Sequence, residues 1–478
     1  MQNKIVFENV AYLFFSDVLT RIITAIVAIA LARYLGATEY GMISVALAFS
    51  VVAGYFADLG LAHTLIREGT KKNADLNVLM SSYIKARFLF GAITALFSIG
   101  IIEWFYEDAE FKMILSFMVL PIILGATLQG IGAVYFQVTQ KMKYTALIRG
   151  MSALIASISL IIGMHLNLEV HIISVIYGLS SIIGGIISCG LVFKRITFTR
   201  KWDKKIFNQL LVFSIGGFGV MTIPQLGPLV LEKVTTVTEV GFFSAAYRIP
   251  AVLYQVPGII ATAFYPLLFK YANSNKMDEH LNLSILELKI MSFIGAVVSL
   301  PFLIYAEWWI VIMFGEEWVR SSYILQILSV IVIIQSINYP LADSLTTKGY
   351  QKIRTNLVLI AMFIGIALYI NLGELYGAVG GAISAISIEL FLMVGYLIFN
   401  RTGGKILFKG ASLTLVSLGI TVSVSKSLEL SIHPFLGSIL IVFIFCLILF
   451  TIDKQLSKYV LEKVLLIKNI ISYKWRQS

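Results

Sequence analysis

The sequence predicts an all-α integral membrane protein with 14 transmembrane helices. Three observations predict it: a composition too apolar for water, the spacing of long apolar runs, and the placement of the basic residues. The chain has 478 residues, of which 58% are hydrophobic and 13% charged, with a mean hydropathy of +0.89. Soluble domains are about 45–50% apolar and about 25% charged. The composition therefore excludes a soluble enzyme, a disordered chain and a secreted disulfide scaffold. The two cysteines, Cys189 and Cys446, lie inside apolar runs and suit neither a disulfide framework nor a metal site.

A bilayer core takes about 20 mostly apolar residues per helix. Fourteen stretches qualify: 10–34, 41–62, 81–102, 113–136, 146–164, 171–193, 207–230, 240–268, 285–306, 321–345, 353–371, 376–398, 406–425 and 435–452. The first is too long for a signal-peptide core and has no small-residue cleavage site, so it counts as a span.

With a cytoplasmic N-terminus, and with charges in the first or last two turns of a span counted to the adjoining segment, 30 of the 37 basic residues fall inside. Five fall outside (Arg33, Lys112, Lys233, Arg320, Lys426), and Arg21 and Arg248 fall within spans. Such a bias places both termini in the cytoplasm. The net charge of +11 is then a topology signal and an attraction to anionic lipid heads, not a nucleic-acid surface. Trp104, Trp308, Trp309 and Trp318 fall at outer boundaries, where interfacial anchoring is expected. No outside loop is long enough to form a domain.

TEYGMISVA (38–46) and TEVGFFSAA (238–246) repeat in register, with Thr38/Thr238, Glu39/Glu239 and Gly41/Gly241 equivalent. TQKMKY (139–144) and LTTKGY (345–350) form a weaker echo at nearly the same offset. The offset covers six spans, an even number, so the repeats are parallel and flank a central path. The expected organisation is an N-lobe (1–200, spans 1–6), a C-lobe (201–402, spans 7–12) around a central cavity, and spans 13–14 with a basic tail (403–478).

Ionisable groups inside a membrane are costly and face a cavity or a partner. Arg21 lies roughly 16 Å into span 1, and Arg248 roughly 12 Å into span 8, at 1.5 Å per residue. One guanidinium per lobe suits a bound anion, since guanidinium grips phosphate bidentately. The bland alternative is helix-locking ion pairs, with Asp17 one turn before Arg21 as a ready partner. Glu389, near the middle of span 12, suits proton or sodium coupling, or equally a hydrogen-bonded core acid. Asp58 and Asp343, near the inner ends of spans 2 and 10, suit an inner gate or snorkelling. Pro224, Pro228, Pro250, Pro257 and Pro266 crowd spans 7 and 8, which points to interrupted, moving helices, with the first four as hinges. Gly377 and Gly381 form a GxxxG motif expected to serve close packing. No nucleotide-binding, metal-binding or hydrolase motif is present, so no catalytic residue, metal or cofactor is expected.

ARYLGATEYGMISVALAFSVVAGYFADLGLAHTLIRE (32–68) resembles the opening of the polysaccharide biosynthesis exporters, including the Wzx-type flippases of the MOP (multidrug/oligosaccharidyl-lipid/polysaccharide) superfamily. VGFFSAAYRIPAVLYQVPGIIATAFYPLLFKYA (240–272) is similar to that family's helix 8. The resemblance implies an inner-membrane flippase of undecaprenyl-pyrophosphate-linked oligosaccharide that uses ion- or potential-driven alternating access. It also implies cationic residues, Arg248 among them, meeting the pyrophosphate. Implied partners are the lipid-linked substrate, membrane lipids, a coupling ion (H+ or Na+), and polysaccharide polymerase and chain-length proteins. The rival readings are a cation/drug antiporter of the same superfamily and a membrane polymerase or ligase. Two intramembrane arginines weigh against the first, and the absence of a large outside loop against the second.

Overall fold

The computed structural model describes residues 2–208, 210–427 and 432–462, with side chains from Val18 onward except at 211, 212, 259 and 427. Among these residues there is no strand, and sixteen α-helices follow in order. They are α1 (Gln2–Asp58), α2 (Leu61–Gly69), α3 (Leu76–Phe105), α4 (Ala109–Val138), α5 (Met142–His165), α6 (Val170–Phe193), α7 (Leu210–Thr222) and α8 (Leu226–Val234). The second half comprises α9 (Val237–Leu253), α10 (Gln255–Asn273), α11 (Met277–Ile304), α12 (Ala306–Phe314), α13 (Arg320–Thr347), α14 (Gln351–Phe399), α15 (Gly403–Ser427) and α16 (Pro434–Ile452).

Twelve helical stretches among the described residues are long and apolar enough to cross a membrane, and each predicted span overlaps one of them. Spans 1 and 2 share α1, and spans 11 and 12 share α14. At 57 residues and 49 residues, these two helices are far longer than a bilayer core of about 30 Å requires. Each breaks at one glycine: Gly36 (φ 72°) and Gly377 (φ 57°). Positive φ at these points is available to glycine at little steric cost. The count of fourteen rests on reading each break as a turn between two crossings, which the lengths favour.

The helix starts follow local chemistry. Asp75 accepts the backbone N–H groups of Asn77 and Val78 to open α3, and Asp108 accepts that of Phe111 to open α4. These side chains satisfy donors that the first turn leaves free.

Two compact units divide the chain. The first comprises Met1–Ala245, Met313–Trp318 and Met362–Gly381. Within it α4 and α6 pack along a seam of small residues. A Cβ on Gly132 would stand 2.2 Å from Ser188 Oγ, and one on Gly178 would stand 2.4 Å from the Phe117 carbonyl. That carbonyl lacks its helix donor because Pro121 has no N–H. The second unit comprises Ala246–Ile312, Val319–Ala361 and Ala382–Ser478. There α11 packs on α13 and α15 through Ser292, Gly295 and Ser299. Ser299 Oγ donates to the Ser329 carbonyl at 2.6 Å, and a Cβ on Gly295 would overlap Ser336 Oγ. In lipid such close approach does the work that apolar burial does in water.

Candidate functional site

Four of the five prolines of predicted spans 7 and 8 sit where helices start or stop, and the fifth, Pro266, lies inside α10. Pro224 lies in the single 3-10 turn (Ile223–Gln225) that divides α7 from α8, and Pro228 lies in the first turn of α8. Pro250 lies in the last turn of α9, and Pro257 in the first turn of α10, with Tyr254 between the two helices. A proline is tolerated in a first turn, whose N–H groups have no helical partner. Predicted spans 7 and 8 are therefore both interrupted helices.

Arg248 sits six residues before the break at Tyr254. Its Nε is buried and has no hydrogen-bond partner. An unmet buried donor costs about 1–3 kcal/mol, so the position favours an acceptor. Arg21 lies exposed on α1, with its carbonyl accepting from Thr24 Oγ1 at 3.1 Å. The side chain of Asp17, its expected partner, lies outside the described residues.

Glu389 is held by two amides that the sequence reading did not single out. Gln335 Nε2 donates to Oε1 at 2.8 Å. Asn338 Nδ2 donates to Oε2 at 2.8 Å and to the Glu389 carbonyl at 3.0 Å. Gln335 and Asn338 are three residues apart on α13, hence on one face. Their own amide oxygens, Gln335 Oε1 and Asn338 Oδ1, are buried and accept nothing. The cluster holds a carboxyl group with uncharged donors and leaves oxygen atoms beside it unused, an environment suited to a proton or a small cation.

The two inner-end aspartates meet arginines. Asp58 is clasped by Arg87 of α3 and accepts the Ala62 N–H that begins α2, at 3.4 Å. Arg87 also donates to the Thr127 carbonyl at 3.1 Å and to the Ala126 carbonyl at 2.8 Å, across Gly130, where a side chain would collide with its guanidinium. By sequence Arg87 counted among the cytoplasmic charges; the fold buries it, 6% exposed. Asp343 stands 3.7 Å from Arg354 Nη1, which donates to Thr346 Oγ1 at 3.2 Å.

The repeated motif meets itself. Thr38 Oγ1 and Thr238 Oγ1 are 2.8 Å apart. A Cβ on Gly41 would lie 2.1 Å from the Val237 carbonyl, and one on Gly241 would lie 1.9 Å from the Ala37 carbonyl. Glu239 Oε2 accepts the Ala378 N–H at 2.9 Å, capping the half of α14 that follows Gly377. Two expectations are corrected here. Trp318 is no interfacial anchor: it is 1% exposed, with its ring edge-on to Tyr40 and Phe242. Gly377 makes the break in α14 as well as lying close against the Glu239 carboxyl, whereas Gly381 has only the expected packing role, against Leu231 and Phe243.

The first unit also contains an apolar cavity of about 660 Å³, lined by Phe49, Phe56, Phe90, Phe97 and Phe105 with Lys233 at its edge. Lys233 is engaged: it lies 3.6 Å from the Tyr106 ring centre and donates to the Phe105 carbonyl at 3.0 Å. Among the described residues no group of three or more His, Cys, Asp or Glu could hold a metal ion.

Residues 6–272 match the family described as "Polysaccharide biosynthesis protein". A "Putative O-antigen transporter" of Shigella flexneri is 24% identical over 382 residues, covering 74% of this chain and 88% of its own length. Among solved structures, the lipid II flippase MurJ in an inward closed conformation has a TM-score of 0.74 at 17% identity, covering 93% of this chain and 99% of its own. An inward-facing MATE multidrug transporter of the MOP superfamily has a TM-score of 0.68 at 10% identity, covering 81% and 95%. Structures this remote in sequence speak for the fold alone. With a match over more than half its length, on a multi-pass helical chain of the MOP fold, this chain belongs to the polysaccharide biosynthesis protein family.

Proposed function

We propose that the protein is a flippase of the bacterial inner membrane, with both termini cytoplasmic. It moves an undecaprenyl-pyrophosphate-linked oligosaccharide from the cytoplasmic to the outer leaflet by ion- or potential-driven alternating access. It acts as a transporter, not as an enzyme. The observation that carries the reading is Arg248, a guanidinium within the membrane whose buried Nε has no acceptor. A pyrophosphate oxygen is an acceptor of the right charge, and Arg21 adds a second cation at comparable predicted depth. The interrupted helices around Pro224, Pro228, Pro250 and Pro257 supply joints at which the lobes 1–200 and 201–402 rock. Family membership and the O-antigen transporter relative support the substrate class.

Export of surface polysaccharide in a strain carrying Arg248→Ala tests this. A charge-assisted hydrogen bond contributes about 1.5–3 kcal/mol, roughly a 10- to 150-fold loss in apparent affinity. Arg248→Ala should therefore abolish export at normal membrane levels, and Arg248→Lys should restore part of it. Unchanged export in Arg248→Ala would remove Arg248 from the site. The cation/drug antiporter remains the second reading, favoured by the Glu389 cluster. A deletion strain that gains drug sensitivity but keeps its surface polysaccharide would establish it instead.

A further inference from the structure

Glu287 has no role in the site described above, and its surroundings are unusual for a carboxyl group. It is 0% exposed, and neither carboxyl oxygen has a hydrogen-bond partner. Its place on α11 is set by helical spacing. His280, Glu287 and Gly295 recur at turn intervals along one stripe of α11. His280 Nε2 and Thr347 Oγ1 are 2.8 Å apart at the inner end of α13, and Gly295 abuts Ser336 further along. Two antiparallel helices touching at those points bring Glu287 to the level of Asp343, which acts on it electrostatically.

The other charged groups nearby are engaged or turned to solvent. Lys289, two residues on, is bound by Asp453 at 2.6 Å. Asp343 faces Arg354. Lys348 donates to Asn400 Oδ1 and Thr402 Oγ1. Lys270 on α10, and Lys405 and Lys409 on α15, are exposed. The titratable hydroxyls of Tyr265 on α10 and Tyr339 on α13, like the Cys446 thiol on α16, give Glu287 no hydrogen bond.

A carboxylate there would be a buried charge with neither counter-ion nor donor, which burial strongly disfavours. The environment admits the neutral acid. Pro340, three residues from Asp343, lies within α13 and interrupts its hydrogen-bond ladder, a point at which the two helices can part locally.

We propose that Glu287 is a proton-binding site. It holds its proton in the state described here and exchanges it with the cytoplasmic side past Asp343 when α11 and α13 separate. Only an O–H bond is made and broken, and the proton passes to and from water. The inference rests on the flippase reading for its purpose, and it makes the coupling ion a proton.

Two measurements on the full-length protein test it. Infrared spectroscopy at neutral pH should show a protonated-carboxyl C=O band that disappears in Glu287→Gln and Glu287→Met but survives in Glu389→Gln. A band unchanged by both Glu287 variants would overturn the proposal; the apolar variant guards against a folding artefact of the amide. In proteoliposomes holding a lipid-linked oligosaccharide, an imposed pH gradient should accelerate flipping by wild type, and Glu287→Gln should lose that acceleration. Full acceleration in Glu287→Gln would also overturn it. If wild type flips no such lipid under any gradient, the flippase reading fails, while the infrared band still decides whether Glu287 binds a proton.

Discussion

The hydroxyls of Thr38 and Thr238 meet at 2.8 Å, so two residues made equivalent by the sequence repeat are also the residues that touch. The contact is reciprocal, since Gly41 covers the Val237 carbonyl and Gly241 the Ala37 carbonyl. Self-complementary contact of this kind is what a two-fold relation produces. It joins the segments that open predicted spans 2 and 8, and the alternating access proposed above would part them. Thr38→Cys with Thr238→Cys, on a chain whose Cys189 and Cys446 are replaced by Ala, should cross-link under oxidation. Export should then fall to background and return on reduction. Full-rate transport by the oxidised protein would show that these segments need not separate.

The glycines at this contact have no room for a methyl group. Overpacking costs about 1–3 kcal/mol, and the opposing atoms are backbone, which cannot rotate away. Gly241→Ala should therefore lower the melting temperature in detergent. Gly216→Ala, with open space around it, should not. Equal melting of the two variants would refute the close approach.

Arg87 and Asp58 form a partly buried ion pair, with side chains 7% and 21% exposed. Removing one partner of a buried pair costs about 3–5 kcal/mol because the other charge is left uncompensated. Arg87→Met should show this in denaturant unfolding, and adding Asp58→Asn should recover much of it. A double variant as unstable as the single one would place the loss in the Thr127 and Ala126 carbonyl contacts.

Glu68, on the short helix α2 outside the spans, is buried and gripped by Lys71 and by Arg67 at 3.0 Å. The hydrogen bond from Lys71, opposed by burial, holds its carboxyl below the ordinary glutamate range. A depressed folded value means that the unfolded chain takes up the proton first. The pair's stabilisation is then present above the unfolded pKa of about 4.3 and is lost as the pH falls through the folded value. Wild type should lose stability across that acid window, and Glu68→Gln should give a flatter profile. Parallel pH profiles for the two would contradict the assignment.

How much was legible in the sequence follows from the range of each interaction. The spans were legible because crossing a bilayer depends on local apolar length, and the breaks in spans 7 and 8 because proline acts on its own turn. Arg248 stood out because a cation inside an apolar run is visible without a partner. Gln335 and Asn338 did not, since an amide becomes informative only when the fold brings a carboxylate to it. Their three-residue spacing in span 10 was the available signal. The burial of Arg87 was not legible, because a charge in the first two turns of a span reads the same whether it reaches the membrane surface or is covered by Asp58 and the Thr127 and Ala126 carbonyls. Trp318 was misread because its position at a span end is the same whether lipid headgroups or Tyr40 and Phe242 surround it.

By itself the sequence determined a multi-pass helical membrane protein with an internal repeat, because hydropathy, charge bias and self-similarity are properties of the chain in order. Tertiary structure decided which groups answer one another: Arg87 with Asp58, two amides with Glu389, Thr38 with its own repeat, and Glu287 with no hydrogen-bond donor. Partnership depends on helix rotation and register, and a shift of one residue turns a side chain by about 100° around its helix.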